Sequence, residues 1–356
     1  MAAPRIAITM GDPAGIGPEI VAKAAMRLQS RIAGQALSLA IFGSARTLSE
    51  AADRLGIPAP FVAAPSGSAA DSWPPSAIID VGIDASGIQP GQISPTAGEI
   101  AYQAIALSVR AAMAREVDAI CTAPINKEAL NVAGHHYSGH TELLADLTGS
   151  RGSVMMLAHG GMRVSHICTH VALADVPRHL TEPRLRQVVN LTADALRRLG
   201  IERPRIGIAA LNPHAGEGGL FGREDIEITA PAVQRLNREG HDVAGPISGD
   251  TIFVRMRAGQ FDAVVAMYHD QGHIPVKLLG FSVDSASGEW RALSGVNVTL
   301  GLPIIRTSVD HGTGFDIAGK GIASEQSLLE AIDFALMLAR GPAADAPAPA
   351  KAGNTR

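Results

Sequence analysis

Between Phe261 and Lys277 the sequence reads FDAVVAMYHDQGHIPVK, an apolar run that ends in His269, Asp270, His273 and Lys277. Imidazoles bind metals and move protons, a carboxylate orients them, and an ammonium attracts anions. Open α/β sheets bind their ligands beyond the carboxyl ends of the strands, so polar groups delivered there by a buried strand are candidates for metal binding or acid/base work. A polar loop capping a core strand explains any one of them alone. The density of the cluster favours chemistry.

Two further histidines stand where strands are expected to end, in THV at 169–171 and in NPHAGEGG at 212–219. Catalytic metal sites are commonly assembled from such distant positions, with three protein ligands and a place left for water or substrate. His170, His214 and His269 suit such a site. All-imidazole ligation favours Zn²⁺, with Co²⁺, Ni²⁺, Mn²⁺ and Mg²⁺ also open. His166, which alternates with Cys168 and His170 along what reads as one strand, and His273 are rivals, and each equally reads as a packed or orienting residue.

GHHYSGHTE, 134–142, precedes an apolar helical run and places Ser138, Gly139, His140 and Thr141 at a helix N-terminus. Such ends bind phosphate or carboxylate; ordinary capping by Ser138 or Thr141 is the alternative. Lys277 and Arg306 either complete an anion pocket or remain solvated charges. In MGDPAGIGPEI, 10–20, three glycines let backbone approach a ligand and Pro18 suits a first helical turn. The segment matches neither the dinucleotide fingerprint nor the Walker loop, and a plain strand-to-helix turn also accounts for it.

These groups need a scaffold of alternating elements. RIAITM, LSLAIF, AIIDV, VDAICT, VMMLA, VSHICTH, RIGIAAL, AVVAMYH, VNVTL and PIIRTSV read as buried or half-buried strands. Helical spacing marks 17–28, 95–115, 182–199, 223–238 and 325–339. The pattern is α/β. Segment 63–76 reads as a surface connection, and the Pro/Ala-rich tail from Gly341 to Arg356 as disordered.

A chain of 356 residues accommodates two domains or one large one. With 46% hydrophobic and 18% charged residues it reads as a folded soluble protein rather than a disordered chain. A net charge of −4 with scattered Lys and Arg argues against a nucleic-acid partner. Cys121 and Cys168 are too few for a disulfide framework and read as buried thiols. No apolar run reaches the roughly 18 residues of a spanning helix, and no leader is evident, so a cytoplasmic location away from membranes is expected.

HGTGFDIAGKGIA, 311–323, resembles the adenosine-binding loop of the isocitrate and isopropylmalate dehydrogenase superfamily. The resemblance makes His311, Gly312, Thr313 and Asp316 cofactor-binding. The position of Asp316 is acidic in that superfamily's NAD users, and an acid there can accept from a ribose 2′-hydroxyl while repelling a 2′-phosphate. It therefore implies NAD. ITMGDPAGIGPE, CTAPINKEAL, GHHYSGHTE, LNPHAGEGGLFG, MYHDQGHIPVK and VNVTLGLPIIRTSVDHGT, in that order, resemble the PdxA family of pyridoxal-phosphate biosynthesis dehydrogenases over roughly residues 5–340.

That resemblance implies a two-domain isocitrate/isopropylmalate dehydrogenase-like fold with its cleft between domains. Residues 1–135 with 300–340 would form one domain, and 136–299 a second that carries the interface of a homodimer with shared sites. It implies metal ligation by His170, His214 and His269, and substrate binding by His140, Thr141, Lys277, Asn297 and Arg306. The reaction implied is NAD-dependent oxidation of the 3-hydroxyl of a 4-phosphorylated hydroxy acid of the 4-phosphohydroxy-L-threonine type, activated by the metal as Lewis acid, followed by decarboxylation of the 3-keto acid. Lys277, Asp250 and Asp270 are candidates for proton transfer, or for orienting a histidine ligand.

The wording of the INKEAL, AGHHYSGHTE and MYHDQGHIPVK segments is similar to the family branch that acts on D-threonate or D-erythronate 4-phosphate. A further relative takes a terephthalate cis-dihydrodiol, and His140 with Thr141 favours a phosphorylated substrate. The stretch 278–296 is longer than the family pattern, and Trp290 and Arg291 within it form either a lid or a surface insertion. A metal-dependent hydrolase built on the same histidines is the alternative of another class; it leaves the 311–323 loop without a purpose. A binding protein that has lost turnover is a third, and the intact histidines and Lys277 oppose it.

Overall fold

The computed structural model describes residues 3–341 other than 66, 284 and 286–289; the side chains of 290–293 are likewise outside the description. The tail expected after Gly341, and the side chains of Trp290 and Arg291 expected as a lid, therefore lie outside what is described. Among the described residues the strands are β1 (Arg5–Thr9), β2 (Ser38–Gly43), β3 (Val62–Ala63), β4 (Ser76–Asp80), β5 (Ala119–Thr122), β6 (Val154–His159) and β7 (Met162–His166). They continue with β8 (Arg205–Ala209), β9 (Asp242–Ile247), β10 (Ala263–Ala266), β11 (Phe281–Val283), β12 (Trp290–Leu293), β13 (Val296–Leu300) and β14 (Arg306–Val309).

Twelve of them make one mixed sheet in the order β3-β4-β2-β1-β5-β14-β13-β6-β7-β10-β8-β9. Only the centre is antiparallel: β13 opposes both β14 and β6, and β6 opposes β7. A parallel half lies on either side, and parallel strands need crossovers, which the helices supply. Their buried sequences are near-continuously apolar, as in Ile6–Ile8 and Ala263–Ala266. The central meander is therefore where the two halves meet.

Alternation along β14 decides what faces the site. Arg306 pairs with Thr299 and Ser308 with Asn297 on β13, while Ser308 also pairs with Thr122 on β5. Directly opposed residues share a face. Thr307 points the other way, donating to the Ala331 carbonyl at 2.8 Å in the helix Gln326–Arg340 that covers that side.

Several elements depart from the expected pattern. The strand expected through AVVAMYH stops at Ala266, and a helix runs from His269 to Gly280. Gln271 forces the ending: its Oε1 accepts from Met267 N at 2.7 Å and its Nε2 donates to Ala210 O at 2.8 Å, tying the ends of β10 and β8 to that helix. The strand through VSHICTH stops at His166, so His166, Cys168 and His170 do not share a face. The helix expected over 223–238 is a π turn (Asp225–Thr229) followed by an α-helix (Ala230–Arg238). Buried Asp225 accepts from the backbone N–H groups of Leu211 and Asn212, which draws that turn out of α geometry. Helix Ala45–Leu55 is not among the expected helices although its signal is present, with Ser44 capping it, Gly56 ending it and Thr47, Leu48, Ala51 and Ala52 on one buried face. Helix Gly249–Arg257 and edge strand β9, with Gly245 and Pro246 inside it, carry a weaker signal.

The long stretch after Lys277 folds as a hairpin of β11 against β12, with Phe281 paired to Leu293. Its base is pinned by Ser294, whose Oγ contacts His159 Nδ1 at 2.8 Å and donates to Glu330 at 2.7 Å. Cys121 and Cys168 are free and buried.

Candidate active site

A cavity of about 540 Å³ lies over the central meander. Its floor is Thr122, Met155, Asn297, Arg306 and Ser308; its roof is the helix face carrying His269, His273 and Lys277. Those three are four residues apart, so one helical face presents them together. The loop 123–127, the segment 138–142, His170 and the turn 310–312 close the sides.

Arg306 marks one end. It is 3% exposed, and its guanidinium donates to Thr299 Oγ1 at 2.9 Å and to Thr122 Oγ1 at 2.7 Å, while Nε has no partner. Burial pulls it down to about 10. No carboxylate lies within ion-pair distance among the described residues, so a buried cation is held by neutral hydroxyls alone. A buried charge without a counter-ion is costly, and an anionic ligand relieves that cost.

His140 opens the helix His140–Thr148 beside it. Its Nε2 is buried without a partner, and burial followed by the charge of Arg306 holds its imidazole well below the ordinary range. The expected capping by Ser138 or Thr141 is absent. Instead Ser138 N donates to Glu142 Oε2 at 2.7 Å and the Ser138 side chain also bonds that carboxylate, while Thr141 lines the cavity. Asn297 adds an unpartnered Oδ1. Three buried polar groups without protein partners converge on one end, the arrangement of a polar ligand site.

Imidazoles mark the other end. The rings of His170 and His269 have centroids 5.9 Å apart. His269 Nδ1 lies 2.6 Å from Asp270 Oδ1, which orients the ring and leaves Nε2 for a ligand. His273 stacks on His269 at 3.7 Å, with Nδ1 on the His269 carbonyl at 2.9 Å. Behind it His166 is buried at 4.8 Å. Burial pushes His273 down to about 3 and His166 to about 4, so both stay neutral and serve as packing. Gly272 is required there, because a Cβ would collide with His166 Nε2.

Lys277 Nζ lies 3.4 Å from Asp310 Oδ2. Asp310 also lines the cavity, and its signal was present in sequence: Arg306, Ser308 and Asp310 fall at period two along and just beyond β14. Lys127, at the start of a helix capped by Asn126, is a third lining cation beside Arg306 and Lys277, and it is not among the expected site residues.

Other expected residues lie apart. His214 is exposed in a left-handed turn, with φ 52°, and does not line the cavity with His170 and His269. Among the described residues no three His, Cys, Asp or Glu side chains stand close enough to hold a metal; of the three histidines expected as ligands, His170 and His269 lie near each other and His214 does not join them. Asp250 is exposed on the Gly249–Arg257 helix, outside the cavity. His311 and Gly312 line the cavity, whereas Asp316 is exposed.

The glycines of MGDPAGIGPEI do not open toward a ligand. Ile16 N donates to Thr313 O at 2.9 Å, and a Cβ on Gly15 would press on that same oxygen at 2.9 Å. They bring the first turn against the 311–316 loop. Asp12, fully buried there, accepts from Ala14 N at 2.8 Å, leaves Oδ2 unpartnered, and is pushed up to about 6 by burial.

Residues 35–335 match the family model described as pyridoxal phosphate biosynthetic protein PdxA. A Bradyrhizobium diazoefficiens protein named, provisionally, D-threonate 4-phosphate dehydrogenase is 62% identical over 97% of this chain and 99% of its own. The D-threonate 4-phosphate dehydrogenase of Cupriavidus necator is 46% identical, covering 92% and 95%. The crystal structure of a 4-hydroxythreonine-4-phosphate dehydrogenase from Klebsiella pneumoniae superposes with a TM-score of 0.78 at 43% identity, covering 95% of this chain and all of that one. With its motifs, its mixed α/β fold and full-length likeness in agreement, the chain belongs to the PdxA family.

Proposed function

We propose that the protein is a metal-dependent NAD oxidoreductase that oxidises the 3-hydroxyl of a 4-phosphorylated hydroxy acid, after which the 3-keto acid loses CO₂. The observation that carries this reading is Arg306, a buried cation without a counter-ion, facing an open cavity whose far end holds two imidazoles. The relatives' names support both substrates, and the D-threonate 4-phosphate names of the 62% and 46% identical relatives favour it over 4-phosphohydroxy-L-threonine, the name carried by the 43% identical structure.

Arg306, His140 and Thr141 hold the phosphate, and Asn297 fixes orientation from the floor. Charge-assisted hydrogen bonds in a dry pocket are strong enough to set register. His170 and His269 fit a divalent ion, since Asp270 occupies Nδ1 of His269 and leaves Nε2 directed elsewhere. His214 would complete the set from a second copy, which makes a homodimer part of the reading. Exposed Leu173, Leu220, Phe221, Ile274 and Leu278 supply apolar surface for that contact.

His311, Gly312, Thr313 and Asp316 would hold NAD, with the Asp316 carboxylate accepting from ribose. When bound, the metal draws charge from the substrate hydroxyl and NAD takes up hydride. Lys277, on the same helical face as His269, is the group placed to exchange the proton. Residues 1–135 with 300–340 and residues 136–299 are read as two units meeting at the central meander, and the compartment as cytoplasmic. No helix among the described residues is long and apolar enough to cross a membrane.

The test is NADH formation at 340 nm with D-threonate, D-erythronate and L-hydroxythreonine 4-phosphates, with NAD or NADP. Turnover confined to NAD and to one of these supports the reading. Turnover of none of them, with phosphate release instead, supports a hydrolase.

A further inference from the structure

We propose that Asp310 is the positioning residue for Lys277, fixing its ammonium at the imidazole end of the cavity as a group of the reacting centre rather than an anchor for the substrate's phosphate. The inference rests on the proposed reaction and assigns a role to Asp310, which lies within the VNVTLGLPIIRTSVDHGT stretch but is not among the metal, substrate or cofactor positions implied by the resemblance.

Asp310 follows β14 on the face that carries Arg306 and Ser308, and its side chain is about one-tenth exposed. Its backbone is braced by Ser327: Asp310 N donates to Ser327 Oγ at 3.3 Å, and that hydroxyl donates to Gly295 O at 2.9 Å. The carboxylate is thus set by the rigid meander. Lys277, more than one-third exposed, is held by Asp310 Oδ2 at 3.4 Å and by the face of Phe281 at 5.0 Å, where the hairpin begins.

The pair is close in charge but not aligned as a hydrogen bond, and Oδ2 remains buried without a hydrogen-bond partner. That leaves acceptor capacity for a tighter approach once substrate fills the cavity, as catalytic contacts commonly tighten on binding. Burial raises the Asp310 carboxyl above the usual range, with Lys277 the largest opposing influence. Such a carboxylate is costly to the fold, which favours a role in function over one in stability.

The two cations therefore differ. Arg306 has no counter-ion among the described residues and keeps its charge for a ligand, whereas Lys277 is compensated by Asp310. A neutralised pair attracts a phosphate dianion weakly but places an ammonium accurately, and misplacement by about 1 Å costs on the order of a hundredfold in rate.

The experiment compares Asp310→Asn, Asp310→Glu, Lys277→Ala and the Asp310→Asn/Lys277→Ala double variant, each for kcat, KM and melting temperature. The expected result is a roughly 10–100-fold fall in kcat for Asp310→Asn with no loss of melting temperature, partial recovery in Asp310→Glu, and less than about twofold further loss when Asp310→Asn is added to Lys277→Ala. Near-wild-type kcat in Asp310→Asn, or losses that multiply in the double variant, overturns the inference alone. A lower melting temperature in Asp310→Asn without recovery in Asp310→Glu assigns it to structure and overturns it as well. Wild-type turnover in Lys277→Ala overturns the proposed role of Lys277, and the inference with it.

Discussion

Asp270 Oδ1 lies 2.6 Å from Nδ1 of His269, at the first turn of the helix that roofs the cavity. With the proton on Nδ1, the other ring nitrogen is the free donor to a metal, and the carboxylate sets both tautomer and orientation. Asp270→Asn is expected to weaken metal retention about 10–100-fold, measured by metal content after dialysis against graded chelator. Unchanged retention would remove Asp270 from this role.

Arg306 separates function from stability. Arg306→Met should cut kcat/KM for a phosphorylated substrate by at least about 30-fold, mostly through KM, since a desolvated charge contact is worth roughly 2–5 kcal/mol. Its melting temperature should hold or rise, because the buried charge has no protein counter-ion. Calorimetry alongside kinetics checks both halves, and a clear loss of stability would mean that Arg306 braces the sheet instead.

Asp12 predicts a pH dependence of stability. Its folded value near 6 stands above the ordinary 3.8, so the folded state binds this proton more tightly than the unfolded chain. That stabilisation is complete below about pH 4 and is lost as pH rises through 6. Asp12→Asn, which keeps an acceptor for Ala14 N, should therefore be more stable than wild type at pH 8 by up to about 2–3 kcal/mol. The advantage should vanish near pH 4 in urea unfolding. An advantage constant with pH would contradict the account.

Much of the scaffold was legible because its strands are short apolar runs bounded by turns, and those from RIAITM to PIIRTSV fall where they read. The polar ends of those runs misled. The strand read in AVVAMYH is expected to run to His269 with the polar groups at its end, yet Gln271 ties strand ends to a new helix, and only helical spacing explains why His269, His273 and Lys277 share a face. Strand β9 was illegible because Gly245 and Pro246 interrupt it at the sheet edge. The pairing of Lys277 with Asp310 joins residues 33 positions apart, which no local pattern reveals. His214 shows a different limit of reading along one chain: histidines similarly placed in sequence need not meet within a single copy.

Gly15 couples two loops. Gly15→Ala would push the Thr313 carbonyl, to which Ile16 N is bonded, and so displace the turn proposed to hold NAD. The expected result is roughly a tenfold rise in KM for NAD, with KM for the phosphorylated substrate changed less than twofold; a misplacement of this size typically costs one to two orders of magnitude. Initial-rate kinetics with each substrate varied in turn checks it, and equal changes in both would mean general disruption.

The central claim is a site with a phosphate anchor at Arg306 and a metal at the histidines. Its most direct measurement is the rate of NADH formation by the purified protein from D-threonate 4-phosphate and from D-threonate, before chelation, after chelation, and after Zn²⁺ is restored. The account predicts turnover of the phosphorylated acid alone, lost with chelator and recovered with metal. An unchanged rate after complete metal removal, or equal rates with and without the phosphate, would contradict it.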